Sequence, residues 1–457
     1  MIKGTIPIDR LIAMVVNGGT LRTGVDVYDR FGTLLLAKET LVDQVRPLEN
    51  LRNRGLRSLP LAKEGGVFDK SGNAVKFNPQ ALPALSLEDP GDPAPGFDLT
   101  SRMKEIQALR KEACQYYAKA KDCLKKAMAQ IQSNQGQFDH QAVAAQVTEL
   151  VNFSGKNDHP FSYMAKDLFL FDQYLFSHGA NVCALGTAVV NRFNRSFSKV
   201  IQSSLWPDST PGPAHENPSF SYYCPEELDQ ISLGLFIFDL GKALVPQDLL
   251  NKTRGLTREE FEMIQRHSYE FGGQILEKNH MDHPVFTNMV QYHHGPLFAG
   301  EKNCYPFDRP FSDIPIYVRI CKLVDIYDAM ISRRSYKEAA NPVTAATALF
   351  RTYVKKDPLL QFILHAFVNT IGLYPPGSIV FLKNGQMAYV LESCGPIVLP
   401  FTDSHQTPLT HPEDPFDVKT REKRMGIDND RSVKTPKEVL NQLPLFIREI
   451  VLPGQGN

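Results

Sequence analysis

The side chains with the most chemical reach are imidazoles and carboxylates set among apolar neighbours. Asp239 lies in GLFIFDLGKALVP, and its flanking Phe, Leu and Ile residues predict a buried position. A carboxylate left unpartnered there costs several kcal/mol, so a metal ion or a cation is the economical partner. Lys242 follows three residues later, His267 lies in IQRHSYEFGGQIL, His293 and His294 in VQYHHGP, and Asp325 and Asp328 in RICKLVDIYDAM. His178 stands upstream in FSHGANVCAL, and Arg334 and Lys337 stand downstream in ISRRSYKEA. Imidazoles and carboxylates without thiolates suit iron, manganese, nickel or zinc. A carboxylate shared by two ions holds them about 3.5 to 4 Å apart, where a bridging hydroxide can act as a nucleophile.

Each member also has a bland explanation. A lone histidine such as His267 is ordinarily a satisfied core residue. Consecutive histidines on a helix point about 100° apart, so holding one ion with both His293 and His294 requires a helix end or a distorted turn. Arg334 and Lys337 alone read as a solvated basic face. The ordered set is far more specific than its parts.

Positioning these groups requires helices. From Asp167 to about Leu373 the pattern is almost entirely helical, broken by a polar, proline-bearing stretch, SSLWPDSTPGPAHENPSFSYY, read as a surface insertion at about 197–223. Residues 1–80 form a small α+β module, with β-rich runs on either side of Arg30-Phe31-Gly32 and a short helix that Gly55 stops. Residues 81–99, with Pro83, Pro90, Pro93 and Pro95, read as a semi-rigid linker. Connecting helices fill 100–164. Thr100 and Ser101 cap a helix whose apolar residues Ile106, Leu109, Ala113, Tyr117, Ala120, Leu124, Ala127 and Ile131 make one stripe, and a second helix opens at Asp139. That stripe reads either as core-facing or as a homodimer seam.

The helical domain closes at about 372. A β-rich extension over 373–410 follows, with two alternating runs joined by Asn384-Gly385. Residues 411–457 read as a peripheral charged tail with a short helix near Leu440 to Val451. The expected class is therefore mainly α, with small α+β and β-rich appendages.

The order His178, FDLGK with Asp239 and Lys242, RH with His267, HH at 293 and 294, CYP at 304–306, then RICKLVDIYDAM and RRSYK resembles the HD-GYP subfamily of the HD metal-dependent phosphohydrolases. The resemblance covers residues 165–350 as the catalytic bundle, and the N-terminal module and the extension resemble segments that accompany one branch of that family. It implies a bacterial phosphodiesterase that opens cyclic di-GMP to linear pGpG or GMP. It further implies that Asp239 bridges two ions, that His267, His293 and His294 complete one shell, and that His178 and Asp325 serve the other. Lys242 would sit by the metal-bound water or leaving oxygen, Arg334, Lys337 and Tyr305 would contact the cyclic dinucleotide, and Asp328 would orient a ligand histidine. One or two divalent ions are expected, iron or manganese first and nickel or zinc next.

The pattern departs from the family in four places. The name-giving His-Asp pair reads Phe238-Asp239, which removes one imidazole. Tyr174 replaces the acidic residue that some members place before the first His, Gly295 replaces the Glu after the double His, and Cys304 replaces the Gly of Gly-Tyr-Pro. One half-site is then complete and the other short by a ligand, which His215, His280 or His283 could supply. The alternative is a degenerate signalling module that binds a nucleotide or a protein partner without turnover.

Fifty basic and fifty acidic residues balance, which gives no footing for a nucleic-acid polymer. Seven cysteines without a CxxC pair speak against a disulfide framework or a thiolate zinc site, and the N-terminal apolar patch, preceded by Asp9 and Arg10 and followed by no convincing cleavage site, reads as a cytoplasmic start. No segment has the roughly 20 apolar residues of a membrane span.

Overall fold

The structure is a computed structural model that describes residues 2–16, 18–28, 34–53, 58–62, 66–74, 99–155, 174–205, 222–252, 254–306, 308–332, 339–393, 396–411, 413–420, 425–433, 435, 439 and 442–443. It divides into two compact units, one made of residues 1–85 and 193–225, the other of 86–192 and 226–457.

In the first unit, β1 (Ile2–Pro7) runs into α1 (Ile8–Val16), followed by β2 (Thr20–Arg22), β3 (Val27–Tyr28), β4 (Leu34–Leu36), α2 (Val45–Asn53), β5 (Ser58–Ala62) and β6 (Gly66–Phe68). The strands pair antiparallel as β1 with β5, β2 with β6 and β3 with β4. Ile8, Leu11, Leu21, Leu48 and Leu59 meet in one small core. Gly55, Arg30-Phe31-Gly32 and the proline linker lie outside the described residues.

The second unit is mainly helical. The long α3 (Leu99–Ser133) begins one residue ahead of the Thr100-Ser101 pair expected to cap it, a shift within the usual uncertainty of helix ends. It folds back on α4 (His140–Gly155), where Asp139 Oδ1 accepts from Ala142 N at 2.9 Å as the cap. Ala113, Tyr117, Ala120, Leu124, Ala127 and Ile131 are all buried within the chain, and Tyr117 Oη donates to the Ser177 carbonyl at 3.1 Å. From Ala113 to Ile131 the stripe is therefore core-facing.

Helix α5 (Tyr174–Leu205) carries His178 and runs on to Leu205, so the start of the expected insertion is helical and the remainder from 206 to 221, His215 included, lies outside the described residues. Next come α6 (Pro225–Ile237), a 3-10 turn over Leu240–Leu244, α7 (Gln247–Leu250), α8 (Arg258–Arg266), a π-helical turn over His267–Gly272, α9 (Gly273–Lys278), α10 (Pro284–Tyr292), α11 (Ile316–Ile331), α12 (Pro342–Tyr353) and α13 (Pro358–Ile371). Among the described residues no helix is long and apolar enough to cross a membrane.

The chain then builds one antiparallel sheet from β7 (Ile379–Leu382), β8 (Met387–Glu392), β9 (Ile397–Pro400), β10 (Phe416–Asp417) and β11 (Ile427–Ser432), in the order β10-β9-β8-β7-β11. The hairpin between β7 and β8 turns at Asn384-Gly385 as expected. Gly385 has φ +95°, and a Cβ there would lie 2.6 Å from the Ser404 carbonyl oxygen. Two expectations need correction. Strand β8 is buried at all six positions, because both of its faces are covered instead of one. The tail is not peripheral either: β10 and β11 form the two edges of the sheet, and only the short helix near Leu440 to Val451 falls largely outside the described residues. Buried Asn341 ties the sheet to α12, donating to the carbonyls of Ile379 at 2.7 Å and Val433 at 2.9 Å.

Candidate metal centre

Asp239 sits where α6 gives way to the 3-10 turn, with φ −109° and ψ 7°. The break matters because it brings Lys242 Nζ back to donate to Asp239 Oδ2. It also presses the turn against the backbone of His267, where a Cβ on Gly241 would lie 1.8 Å from the His267 carbonyl oxygen. Only glycine fits at 241, so the FDLGK glycine sets the distance between Asp239 and His267.

His267 opens the π turn, an insertion of one residue per turn that is frequent at functional sites. Its Nδ1 donates to the Ile264 carbonyl at 2.6 Å, which leaves Nε2 as the free lone pair. His293 ends α10, and its Nδ1 donates to the Val290 carbonyl at 2.9 Å, with the same consequence. Because the helix stops there, His294 need not diverge by the usual angle; the two rings have centroids 4.1 Å apart. One ligand atom each from His267, His293 and His294 lie within 4.8 Å of one another.

Asp239 Oδ1 faces this cluster, 3.2 Å from His267 Nε2 and 3.9 Å from His293 Nε2. Burial alone would raise its pKa, but Lys242, His267 and His293 outweigh that and hold the carboxyl well below its ordinary range. Burial and the neighbouring His267 push His293 down to about 4, and burial with His293 and His267 pushes His294 well below its usual value. The imidazoles of His293 and His294 are neutral and ready to donate lone pairs.

His178, Asp325 and Asp328 form a second group. His178 Nε2 is 2.9 Å from Asp325 Oδ1 and 4.0 Å from Asp239 Oδ2, and His178 Nδ1 donates to Asp328 Oδ2 at 2.7 Å. Asn181 Nδ2 donates to the other oxygen of Asp328 at 2.7 Å. Burial opposes a charge on His178, yet hydrogen bonds to Asp325 and Asp328 prevail and raise it to about 9. Burial likewise opposes charge on Asp325, and His178 holds it low all the same. Phe238 is fully buried between the two groups, its ring edge-to-face with His178 at 5.7 Å and with His293 at 4.9 Å.

The donor set fits a divalent ion. His267 Nε2 and His293 Nε2 stand 3.2 Å apart with both Nδ1 protons committed to carbonyls, so two lone pairs face each other. Asp239 Oδ1 is buried beside them without a hydrogen-bond donor. A cation held by these atoms resolves both defects.

Tyr305 lies against His294 as a tilted ring pair, with centroids 4.5 Å apart and planes at 32°. Burial raises its phenol far above the usual value, so it is a neutral donor. Arg334 and Lys337 lie outside the described residues. His280 is exposed, and His283 Nδ1 accepts from Val285 N as the cap of α10, so neither completes the second group.

Sequence reasoning missed Lys322. This buried residue one turn before Asp325 donates to Glu301 Oε2 at 2.9 Å and to the Gly295 carbonyl at 2.8 Å, and lies 3.4 Å from Cys304 Sγ. Glu301 also accepts from Tyr353 Oη at 3.1 Å and from Leu297 N at 2.6 Å. Lys322 thereby pins the loop that carries Tyr305. The signal was its place inside an apolar helical run. Asn181, three residues after His178, was legible as sharing a helix face with it.

Residues 225–358 match the family model described as HD domain. Asp239, Lys242, His267, His293, His294 and Asp325 lie within the matched segment, and His178 lies upstream of it. The chain is 27% identical over 224 residues to "Cyclic di-GMP phosphodiesterase PA4108" of Pseudomonas aeruginosa, covering 49% of this chain and 46% of that protein. It is 30% identical over 112 residues to "3'3'-cGAMP-specific phosphodiesterase 2" of Vibrio cholerae, covering 24% and 21% of the two. It is 29% identical over 136 residues to "Cyclic di-GMP phosphodiesterase response regulator RpfG" of Xanthomonas campestris pv. campestris, covering 30% and 34%. The chain spans less than half the length of each of these relatives. A solved structure, "Bd1817, a HDG"Y"P protein from Bdellovibrio bacteriovorus", aligns with TM-score 0.36 and 15% identity, covering 80% of this chain and 98% of that one. Residues 225–358 are thus similar to the HD domain, and over part of its length the chain is similar to proteins named as cyclic dinucleotide phosphodiesterases.

Proposed function

We propose that this chain is a metal-dependent phosphodiesterase that hydrolyses cyclic di-GMP in bacterial second-messenger signalling. The observation that carries the reading is the cluster of His267, His293 and His294, with the undonated oxygen of Asp239 facing His267 at 3.2 Å and His293 at 3.9 Å. When bound there, a divalent ion supplies Lewis acidity at a phosphate oxygen and an activated water. Imidazoles with a carboxylate favour iron or manganese, and they accommodate nickel or zinc.

The protein's own groups do the rest. Lys242 brings an ammonium to the rim of Asp239, where charge develops on phosphate oxygens. Tyr305 offers a protonated phenol beside His294. Asp328, steadied by Asn181, fixes the His178 ring against Asp325. Arg334 and Lys337 are the remaining candidates for neutralising the second phosphate. The same reading assigns the chain to the cytoplasm.

One ion per chain is the expected stoichiometry, held by Asp239 and the three histidines. The His178 and Asp325 group has Phe238 where an imidazole would complete a second shell. That replacement also favours a second reading, a signalling module that binds nucleotide without turnover. Elemental analysis of anaerobically purified protein, coupled to a cyclic di-GMP assay with added iron or manganese, separates the two. Linear product that vanishes in Asp239→Ala supports the hydrolase; bound metal with no product in any buffer supports the binder.

A further inference from the structure

We propose that Phe261 and Tyr269 form a nucleobase platform at the mouth of the metal centre, stacking a purine whose phosphate reaches the imidazoles. The inference rests on the nucleotide reading above and adds to it the residues that recognise the base.

Exposed apolar side chains are ordinary when scattered. These two are not scattered. Among the described residues the exposed aromatic side chains are Phe261, 47% accessible, and Tyr269, 39% accessible. Both belong to the stretch that delivers His267: Phe261 on α8, a helix with no buried residue, and Tyr269 in the π turn that His267 opens. The helix packs through the partly buried Met263 and Ile264, so the exposed Phe261 ring adds little to the core and is open to a ligand.

The rings form a path. Tyr305 lies tilted against His294 with centroids 4.5 Å apart, is 6.5 Å from His267, and meets Phe261 near-perpendicularly at 6.5 Å and 82°. Tyr269 lies two residues after His267 in the same π turn. Phe261 is thus one ring beyond the imidazoles, as a base is one ribose beyond its phosphate. Exposed aromatic faces beside a phosphate-handling centre suit base stacking, which tolerates any base because each has a π face. A protein partner is the poorer occupant, since a stable interface needs roughly 800 Å² on each side and two rings present only a fraction of that.

The test compares GMP with ribose 5-phosphate, which keeps the sugar and phosphate and lacks the base. Calorimetric titration of the full chain in manganese buffer should show GMP binding at least about 10-fold tighter. Phe261→Ala with Tyr269→Ala should erase most of that difference and leave ribose 5-phosphate affinity unchanged, while Phe261→Trp should retain it. In a Trp206→Phe, Phe261→Trp chain, whose one tryptophan is the platform residue, GMP should quench the fluorescence and ribose 5-phosphate should not. Equal affinities for the two probes, no measurable GMP binding, a difference that survives the double substitution, or no quenching would each overturn the platform. Cyclic di-GMP turnover is read separately: base-dependent GMP binding without turnover removes the hydrolase reading and leaves the platform standing.

Discussion

Phe238 touches both groups of candidate metal ligands, edge-to-face with His178 and with His293. Its ring supplies packing where the family pattern supplies a lone pair, so the two groups cease to be equivalent. Asp239, His267, His293 and His294 retain four donors, whereas His178 and Asp325 form a hydrogen-bonded pair steadied by Asp328. Phe238→His should therefore raise the metal content from about one ion per chain toward two, as read by elemental analysis after dialysis. An unchanged content in a folded variant would show that residue 238 does not limit the second position. Asp328→Asn, added to Phe238→His, should weaken that second ion by about 10- to 100-fold in a competition titration with a chelator, because it frees the His178 ring.

At the scale of the element, the site depends on three interrupted helices. The chain leaves α6 at Asp239, passes through a π turn at His267 and ends α10 at His293, and each interruption aims a side chain that a regular helix would send elsewhere. Gly241 is the tightest point of that arrangement. Gly241→Ala must separate the Asp239 turn from the His267 backbone, costing about 1–3 kcal/mol of stability by overpacking. It should also lose metal affinity before it loses helix content, a difference that circular dichroism and elemental analysis resolve together.

The Lys322–Glu301 pair is a second element-scale device, joining α11 to the loop that carries Tyr305. Lys322→Met leaves the Glu301 charge buried with no cationic partner, which costs about 3–5 kcal/mol in urea unfolding. Lys322→Met with Glu301→Gln should recover much of that loss. A Lys322→Met protein as stable as the parent would show that the pair does not hold the loop.

At the scale of the whole molecule, the sheet after α13 takes its two edges from the segment that composition marks as a tail. Strand β9 is buried at all four positions and β7 at three of four, so both depend on β10 and β11 for cover. Ending the chain after Leu409 should expose them as unpaired apolar edges and produce soluble aggregates by light scattering. A monomeric, cooperatively melting truncation would show that the edges are dispensable. The second unit is the place to read that effect, since Asn341 links the sheet to α12 within it.

The ordered residue types determined the class of chemistry. His267, the His293-His294 pair and the buried Asp239 needed only an apolar context to indicate a divalent metal, because a carboxylate and several imidazoles sharing apolar surroundings have few other economical uses; the phosphate ester came with the family resemblance of the ordered motifs. The mainly helical class was equally legible from three-and-four spacing, and the β7–β8 hairpin from Asn384-Gly385. Tertiary structure decided what depends on contacts far apart in sequence. The stripe on α3 meets the core of its own chain, since a periodic apolar face does not name its partner. Lys322 reaches Glu301 across a loop that no local pattern ties to it, and β11 joins β7 across the length of the extension. Adjacent histidines converge because a helix ends between Tyr292 and His293, a boundary fixed by packing and not by the pair itself. Periodicity and composition are local sums; a pairing between distant residues is set by which surfaces the folded chain brings together.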